Sequence, residues 1–504
     1  MFEPRACSDP GWSAGLGHVG QVAHHAGLAA VATSFPLLHW AGRAHYDGHR
    51  LGQRVIVYDA ATRTRRAVLD LPRHPIHELA FRPDGGALAI ACGCYDGGYA
   101  FEGELLVWEL ASGAVRRPLA GNREVVRVRW IDATRLAVLV RPPDDSDGDD
   151  AFSRVHGALL VDRDARGRSD PRIGAEPVDP AAFGFTADHL ADPLGWLAAG
   201  GVAPGTARPP IRDVARVGER IAATDEMCLI GLWDRELGRC TRVTGEGVGE
   251  QILRVGDRWL VAAAAGSASL LYALDGDAPR MLRRFDRRYA FTSDARGHLL
   301  ARDTGGAMAR SDLVLDAEGR TLHAADLGHF DAFNHALRLD GGDRLHYLRG
   351  TPPGQHEHKV LAAISADGTI TEVMRWDGDG AHHMDPSACM VDDGAIVAGY
   401  RVHHPHPGRG ERYVVRRRRD GASEWTVEWP YAPRALAHAP AIDAVIVAAL
   451  DGTLAALDLR SGALRGEAQL ELDGVLAPPT CMVVEGLEAT IGTLDGRLVT
   501  VSLA

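Results

Sequence analysis

The stretch "RVIVYDAATRT" (54–64) runs from an apolar strand through an aspartate and a small polar turn into a new strand. The same pattern returns at "ELLVWELASGA" (104–114), "CLIGLWDRELG" (228–238) and "TLAALDLRSGA" (453–463). Each is a β-hairpin signature: strand-forming residues, then the Asp, Ser and Gly chemistry that tight turns require. Looser copies include "SLLYALDGDAP", "DLVLDAEGRTL", "VLAAISADGTI" and the terminal "GRLVTVSLA". Together they make about ten hairpins at roughly 40 to 70 residue spacing, a period that calls for a solenoid or a propeller.

A second hairpin precedes most of these. "IHELAFRPDGGALAIAC" (76–92) and "SACMVDDGAIVAGY" (387–400) each place two strands around an acidic, glycine-containing turn. Two hairpins make a four-stranded sheet, and one such sheet cannot bury both of its faces alone. Radial stacking solves this, so the fold expected is all-β: a β-propeller of four-stranded antiparallel blades, with about ten blade-like repeats in a single wide ring or two associated rings. Period-two alternation and frequent glycine exclude long helices.

"LLVWELASG" and "AALDLRSG" resemble the third strand and following turn of the WD40-like β-propeller superfamily, and "FRPDGGALA" resembles its first-to-second strand connection. The Gly-His dipeptide and terminal Trp-Asp of strict WD40 repeats do not recur in register. Propeller repeats are expected over residues 1–504, with 173–210 a loop or helical excursion carrying a short helix near 186–199. The last repeat stops after its third strand. Residues near Phe2 to Ser8 are expected to supply the fourth, with Pro4 confining that strand to an edge.

Loop lengths point to a working face. Connections within hairpins are tight, whereas "TSFPLLHWAGRAHYDGHRLG", "CGCYDGGYAFEG", "RPPDDSDGDDAFSRVHG", "RGTPPGQHEHK" and "RVHHPHPGRG" are long second-to-third connections. Long loops on a rigid scaffold are where binding is expected. His356, His358, His382, His383, His403, His404 and His406 fall on neighbouring loops of this kind. Neutral imidazoles ligate zinc, copper, iron or nickel, with Glu357, Asp377, Asp379 or Asp385 available to complete a shell. Solvated surface histidines are the alternative. Asp145, Asp147 and Asp149 alternate as calcium ligands do, but an EF-hand loop would then place glycine and glutamate where Asp150 and His156 stand. Trp40, Tyr46, Tyr95, Tyr99 and Phe101 are candidates for an interaction face. Cys92 and Cys94 share one side of a strand, and Trp108, Trp233 and Trp425 belong to strand interiors.

The 504 residues are 46% hydrophobic and 24% charged, the composition of an ordinary globular chain. No basic, apolar leader and no long apolar run is visible, so the expected location is the cytoplasm and no membrane is involved. Seven cysteines imply no disulfide framework. A net charge of −12 disfavours nucleic acid, and Arg416–Arg419 reads as a strand edge rather than a binding patch. Motifs for nucleophile elbows, P-loops, dinucleotide binding and thiol proteases are absent from the sequence. The function expected is therefore a non-enzymatic scaffold that holds protein partners on its long-loop face, with no cofactor. The alternative is a metal-dependent hydrolase, lyase or oxidoreductase using a transition metal at the histidines.

Overall fold

The computed structural model describes residues 2–503 apart from 9–10, 36–52, 96–99, 120–121, 147, 162–172, 174–175, 186–194, 203–208, 276–278, 305–311, 329–338, 340–341, 351–357, 378–381, 404–409, 411, 431–432 and 450. The chain is a β-propeller protein. Among the described residues, eight antiparallel sheets have four strands, two have three, and a two-stranded hairpin stands apart. Strand order within the sheets follows chain order, as two successive hairpins require; the one exception is the sheet that also takes the N-terminal strand.

The middle strands are apolar throughout rather than alternating. Ala444–Ala449 and Thr453–Asp458 are buried along almost their whole length, while the fourth strand of the same sheet, Leu464–Gln469, alternates toward solvent. A middle strand faces a neighbouring sheet on both sides, so both of its residue sets must be apolar. The outermost strand keeps period two because one side is wet.

The chain divides into two compact units, residues 1–10, 37–45 and 209–504 in one and 11–36 and 46–208 in the other. The first contains sheets spanning 213–243, 248–284, 289–325, 345–377, 382–428, 433–469 and 479–502. Each successive pair shares a hydrophobic cluster. The last sheet shares one with the first, where Cys481 and Leu498 meet Ile221 and Trp233. These sheets form a closed cycle. First strands of successive sheets lie against one another, which puts them on the axis.

Strand Glu3–Cys7 completes the sheet at 479–502 by pairing with Leu498–Ser502. Ser8 N–H donates to Leu498 O at 2.9 Å, and Leu498 N–H donates to the Ser8 hydroxyl at 2.8 Å. The register slips between Pro4 and Ala6, on the outer edge of the sheet, where a missing N–H costs least. The expected closing strand is therefore present, with Pro4 where an edge tolerates it.

The second unit holds three sheets, spanning 18–69, 76–116 and 125–161. Trp108 lies between the first two. Three sheets leave two outer faces, and each is covered. Over the first, Trp12 meets the Tyr58 ring edge to face at 5.5 Å and Trp196 lies tilted against it at 5.8 Å, with Leu197 of the short helix Gly195–Ala199 packed in the same cluster. Trp196 Nε1 donates to Ala60 O at 2.8 Å. Over the last, Phe185 and Phe183 cover Ala137 and Leu139, held by a 3-10 turn at Pro180–Phe183 that Asp179 caps. Parts of 173–210 thus serve as end covers for this unit; the region 186–194, expected to begin a helix, lies outside the described residues.

Turn chemistry follows the repeat. Asp59 accepts from Ala61 N–H, Thr62 N–H and the Thr62 hydroxyl, and Asp458 accepts the equivalent set from Arg460 and Ser461. The Thr62 amide, then Arg66, hold the Asp59 carboxyl down to about 2, and Ser365 and Thr369 do the same for Asp367. A depressed folded pKa stabilises above the unfolded value and is lost as pH falls through the folded one. Thermal unfolding temperature is therefore expected to fall between about pH 4 and pH 2, and Asp59→Asn with Asp367→Asn to flatten that fall. Removing residues 1–8 exposes the edge at 498–502 and is expected to destabilise the first unit by about 3 kcal/mol or more, from the lost strand bonds alone. Denaturant titration checks this.

Candidate functional site

The histidines expected in loops are divided by the structure. His358 opens the strand His358–Ile364, His382 and His383 open His382–Met390, and His403 ends Ile396–His403. In register, His382 stands opposite His403, His383 opposite Val402, and His358 opposite Asp377. These four are strand-end positions rather than loop positions. His356, His404 and His406 lie outside the described residues. Among the described residues, no group of three or more His, Cys, Asp or Glu side chains is placed to hold a metal ion.

Two carboxylates of the acidic loop have local partners. Asp145 accepts the Tyr95 hydroxyl at 2.6 Å, and Asp144 accepts Ser146 N–H at 3.1 Å, so both carboxylates hold the loop together. Bonds from Ser146 hold Asp144 below its ordinary range. Asp147 lies outside the described residues, and Asp149 falls in the 3-10 turn Gly148–Phe152.

The aromatic candidates also redistribute. Trp40, Tyr46 and Tyr99 lie outside the described residues. Tyr95 and Phe101 are strand residues, directly opposite each other in the hairpin of Ala87–Tyr95 with Phe101–Glu109. The ends of "CGCYDGGYAFEG" are thus strand, and two of its four glycines, Gly93 and Gly103, face each other across the ladder. Phe101 is 2% exposed and offers no surface. Its role is support. Phe152, from the loop before strand His156–Val161, sits 5.0 Å from the Tyr95 ring and 5.1 Å from Phe101, edge to face, and remains 44% exposed. No local pattern singles out Phe152; its one signal in the sequence is a lone aromatic inside an acidic loop.

The same end of this unit gathers polar groups. A Cβ at Gly93 would lie 2.3 Å from Glu124 Cγ, so only glycine lets Glu124 approach the hairpin. Glu124 is buried and meets His77 Nε2 at 2.9 Å. His77 is the residue at a register slip between Ile76 and Glu78, a bulge that turns its side chain toward the next sheet. Gly93 N–H donates to Pro75 O at 2.9 Å, which fixes the neighbouring His74 with Nδ1 3.7 Å from Cys94 Sγ. Sequence shows "RHPIHE" and two nearby cysteines, but nothing in it brings Glu124 to them. Long second-to-third loops hold for sheets 18–69, 125–161 and 382–428, while in 345–377 the long segment 351–357 lies between the first and second described strands. They fail for 213–243, 248–284, 433–469 and 479–502, where two to five residues suffice. The elaborated end is a property of some blades only.

The Arg416–Arg419 run is no open basic patch: Arg416 is buried and paired with Asp393 and Glu424, and Arg418 pairs with Asp420.

No family model and no curated protein sequence matches the chain. Solved structures do resemble it. Virginiamycin B lyase from Staphylococcus aureus aligns at 10% identity over 59% of this chain and 97% of its own, with a TM-score of 0.43. An inactive variant of that lyase with quinupristin gives 12%, 58%, 95% and 0.45. BamB from Moraxella catarrhalis gives 14%, 57%, 83% and 0.35. At these values the likenesses say nothing about activity.

All seven cysteines are thiols. Burial pushes Cys92 well above its ordinary pKa, and Cys228 and Cys389 up to about 12. Cys94 is half-buried beside an imidazole able to take its proton. Iodoacetamide near pH 7.5 is expected to label Cys94 well before Cys92, Cys228 and Cys389, and His74→Gln to slow the Cys94 reaction. Peptide mass spectrometry of timed samples reads both.

Proposed function

We propose that this protein is a non-enzymatic, WD40-like propeller platform that holds a protein partner at the long-loop end of its three-sheet unit. One observation carries the reading. Phe152 presents a half-exposed ring on a rigid base of Tyr95 and Phe101, within a loop bearing Asp144, Asp145 and Asp150. A large ring held in place loses little entropy on binding, which is the physical basis of an interface anchor. The acidic rim selects a partner segment with an apolar pocket flanked by lysine or arginine, and predicts salt-sensitive association. Neither nucleic acid nor a membrane fits such a surface. No described helix is long and apolar enough to cross a membrane. The seven thiols support placement in the reducing cytoplasm.

A second reading rests on the register that sets His382 opposite His403: a transition metal held by these residues, with hydrolytic, lyase or redox chemistry. Elemental mass spectrometry of protein purified without chelator tests it. A near-stoichiometric metal lost in His382→Ala with His403→Ala would establish that site.

For the platform, a photo-crosslinking amino acid placed at position 152, with position 464 as control, is expected to capture one partner at 152 only. With that partner purified, Phe152→Ala is expected to weaken binding about 30-fold, the effect of a typical anchor residue. Identical adducts at both positions, or unchanged affinity, overturn the proposal.

A further inference from the structure

The three-sheet unit sets a thiol and an imidazole on one rigid frame. Cys94 stands near the end of strand Ala87–Tyr95, on the side that Cys92 turns toward the sheet at 18–69. Its Sγ lies 3.7 Å from His74 Nδ1. His74 is 8% exposed and is pinned on both sides. Before it, Arg73 N–H donates to the Glu104 carboxylate at 2.7 Å; after it, Pro75 O accepts from Gly93 N–H at 2.9 Å. Both anchors belong to the hairpin that carries Cys94, so ring and thiol keep their spacing together.

An imidazole beside a thiol can take its proton, and the imidazolium then stabilises the thiolate, which is the nucleophile. Glu102 stands opposite Cys94 in register, while Glu104 is met by Arg117 at 2.9 Å and Glu124 by His77. The other six thiols lack one half of this arrangement. Cys92, Cys228 and Cys481 are buried, and burial also pushes Cys389 up to about 12. Cys7 and Cys240 are better exposed, but burial raises the pKa of each, and among the described residues no imidazole contacts either. Cys94 alone combines partial exposure with a base.

We propose that Cys94 and His74 form a site of reversible thiol oxidation, where a hydroperoxide converts Cys94 to a sulfenic acid and a small thiol such as glutathione then caps it as a mixed disulfide. The thiolate attacks one peroxide oxygen, and the O–O bond breaks. Sulfur gives up two electrons, the peroxide takes them, and the departing hydroxide collects the proton held on His74 and leaves as water. The small thiol attacks the sulfenic sulfur in turn, forms the S–S bond and expels water; a second thiol restores Cys94 by exchange. The site is independent of the platform reading, because Tyr95, next along the strand, turns to the opposite face toward Phe152.

Hydrogen peroxide on the full chain, with dimedone to trap sulfenic acid and peptide mass spectrometry as the readout, tests the proposal. At pH 6 the Cys94 adduct is expected to form at least about tenfold faster than one at Cys240, because a stabilised thiolate gains more in ionised fraction than it loses in nucleophilicity. That comparison is made inside one folded chain and needs no variant. Between pH 8 and pH 6 the Cys94 rate is expected to fall by no more than about fivefold, whereas in His74→Gln it falls about fiftyfold, as the thiolate fraction of an ordinary thiol does. With glutathione in place of dimedone, Cys94 is expected to gain one glutathione that dithiothreitol removes, and Cys94→Ser to show no adduct at that position. No dimedone or glutathione adduct at Cys94, equal rates at Cys94 and Cys240, or the same pH profile in the parent and a folded His74→Gln overturns the proposal.

Discussion

A sheet that is apolar on both faces must be covered twice, and everything else in this chain follows from how that demand is met. Ala444–Ala449 lies in the interior of a sheet with a neighbouring sheet on each side, and Arg135–Val140, exposed only at Arg135, has a sheet on one side and Phe183 and Phe185 on the other. Seven sheets meet the demand by closing: the hydrophobic cluster between 479–502 and 213–243 leaves no terminal face. Three sheets cannot close, and there side chains from outside the sheets replace the missing neighbours. Trp12, Trp196 and Leu197 form one cover, Phe183 and Phe185 the other. Closure and capping are two solutions to one hydrophobic problem. Truncating a cluster residue such as Ile491, fully buried between two sheets, belongs with core substitutions that cost about 2 to 5 kcal/mol.

Edges and bulges then decide where chemistry can sit. The first strand of each sheet is an open edge, and register slips recur there: at Val19/Gln21, Ile76/Glu78 and Val125/Arg127 in the three-sheet unit, and at Gly249/Gln251, Pro433/Ala435 and Pro479/Cys481 in the seven-sheet unit. The extra residue repeatedly reaches the next sheet. His77 meets Glu124, Glu250 meets Arg288 at 2.5 Å, and Thr480 meets Ile211. Burial raises the Glu250 pKa against the pull of Arg288 and Arg212, so this link carries a desolvation cost that its two guanidinium partners offset. One irregularity thus joins neighbouring sheets through polar groups.

Legibility in the sequence follows from range. Hairpin turns are local, so Asp59 and Asp458 announce themselves three residues from the groups they bond. The closing strand is legible by arithmetic, because the last repeat lacks a strand and the chain start supplies one whose proline tolerates an edge. Middle strands show that alternation is the wrong test where both faces are buried. The metal and interaction candidates chosen from loop composition fare differently: His382 and His403 prove to be strand partners, and Phe101 proves to be support.

What local pattern cannot show is convergence across sheets. Phe152 is about fifty residues from the rings beneath it, and His77 is forty-seven from Glu124. Neither pair has a spacing rule, since the distance between blades depends on loops of any length. The glycines hold the one usable clue. Gly93 and Gly103 sit opposite each other in a strand hairpin, where glycine weakens the ladder unless another backbone must come close. The Cα of Glu124 does come close, 2.7 Å from where either Cβ would be. A paired glycine in a strand interior therefore marks the place where a neighbouring sheet inserts its polar end, and it points to the cluster of His74, His77, Cys94 and Glu124 when motif spacing does not.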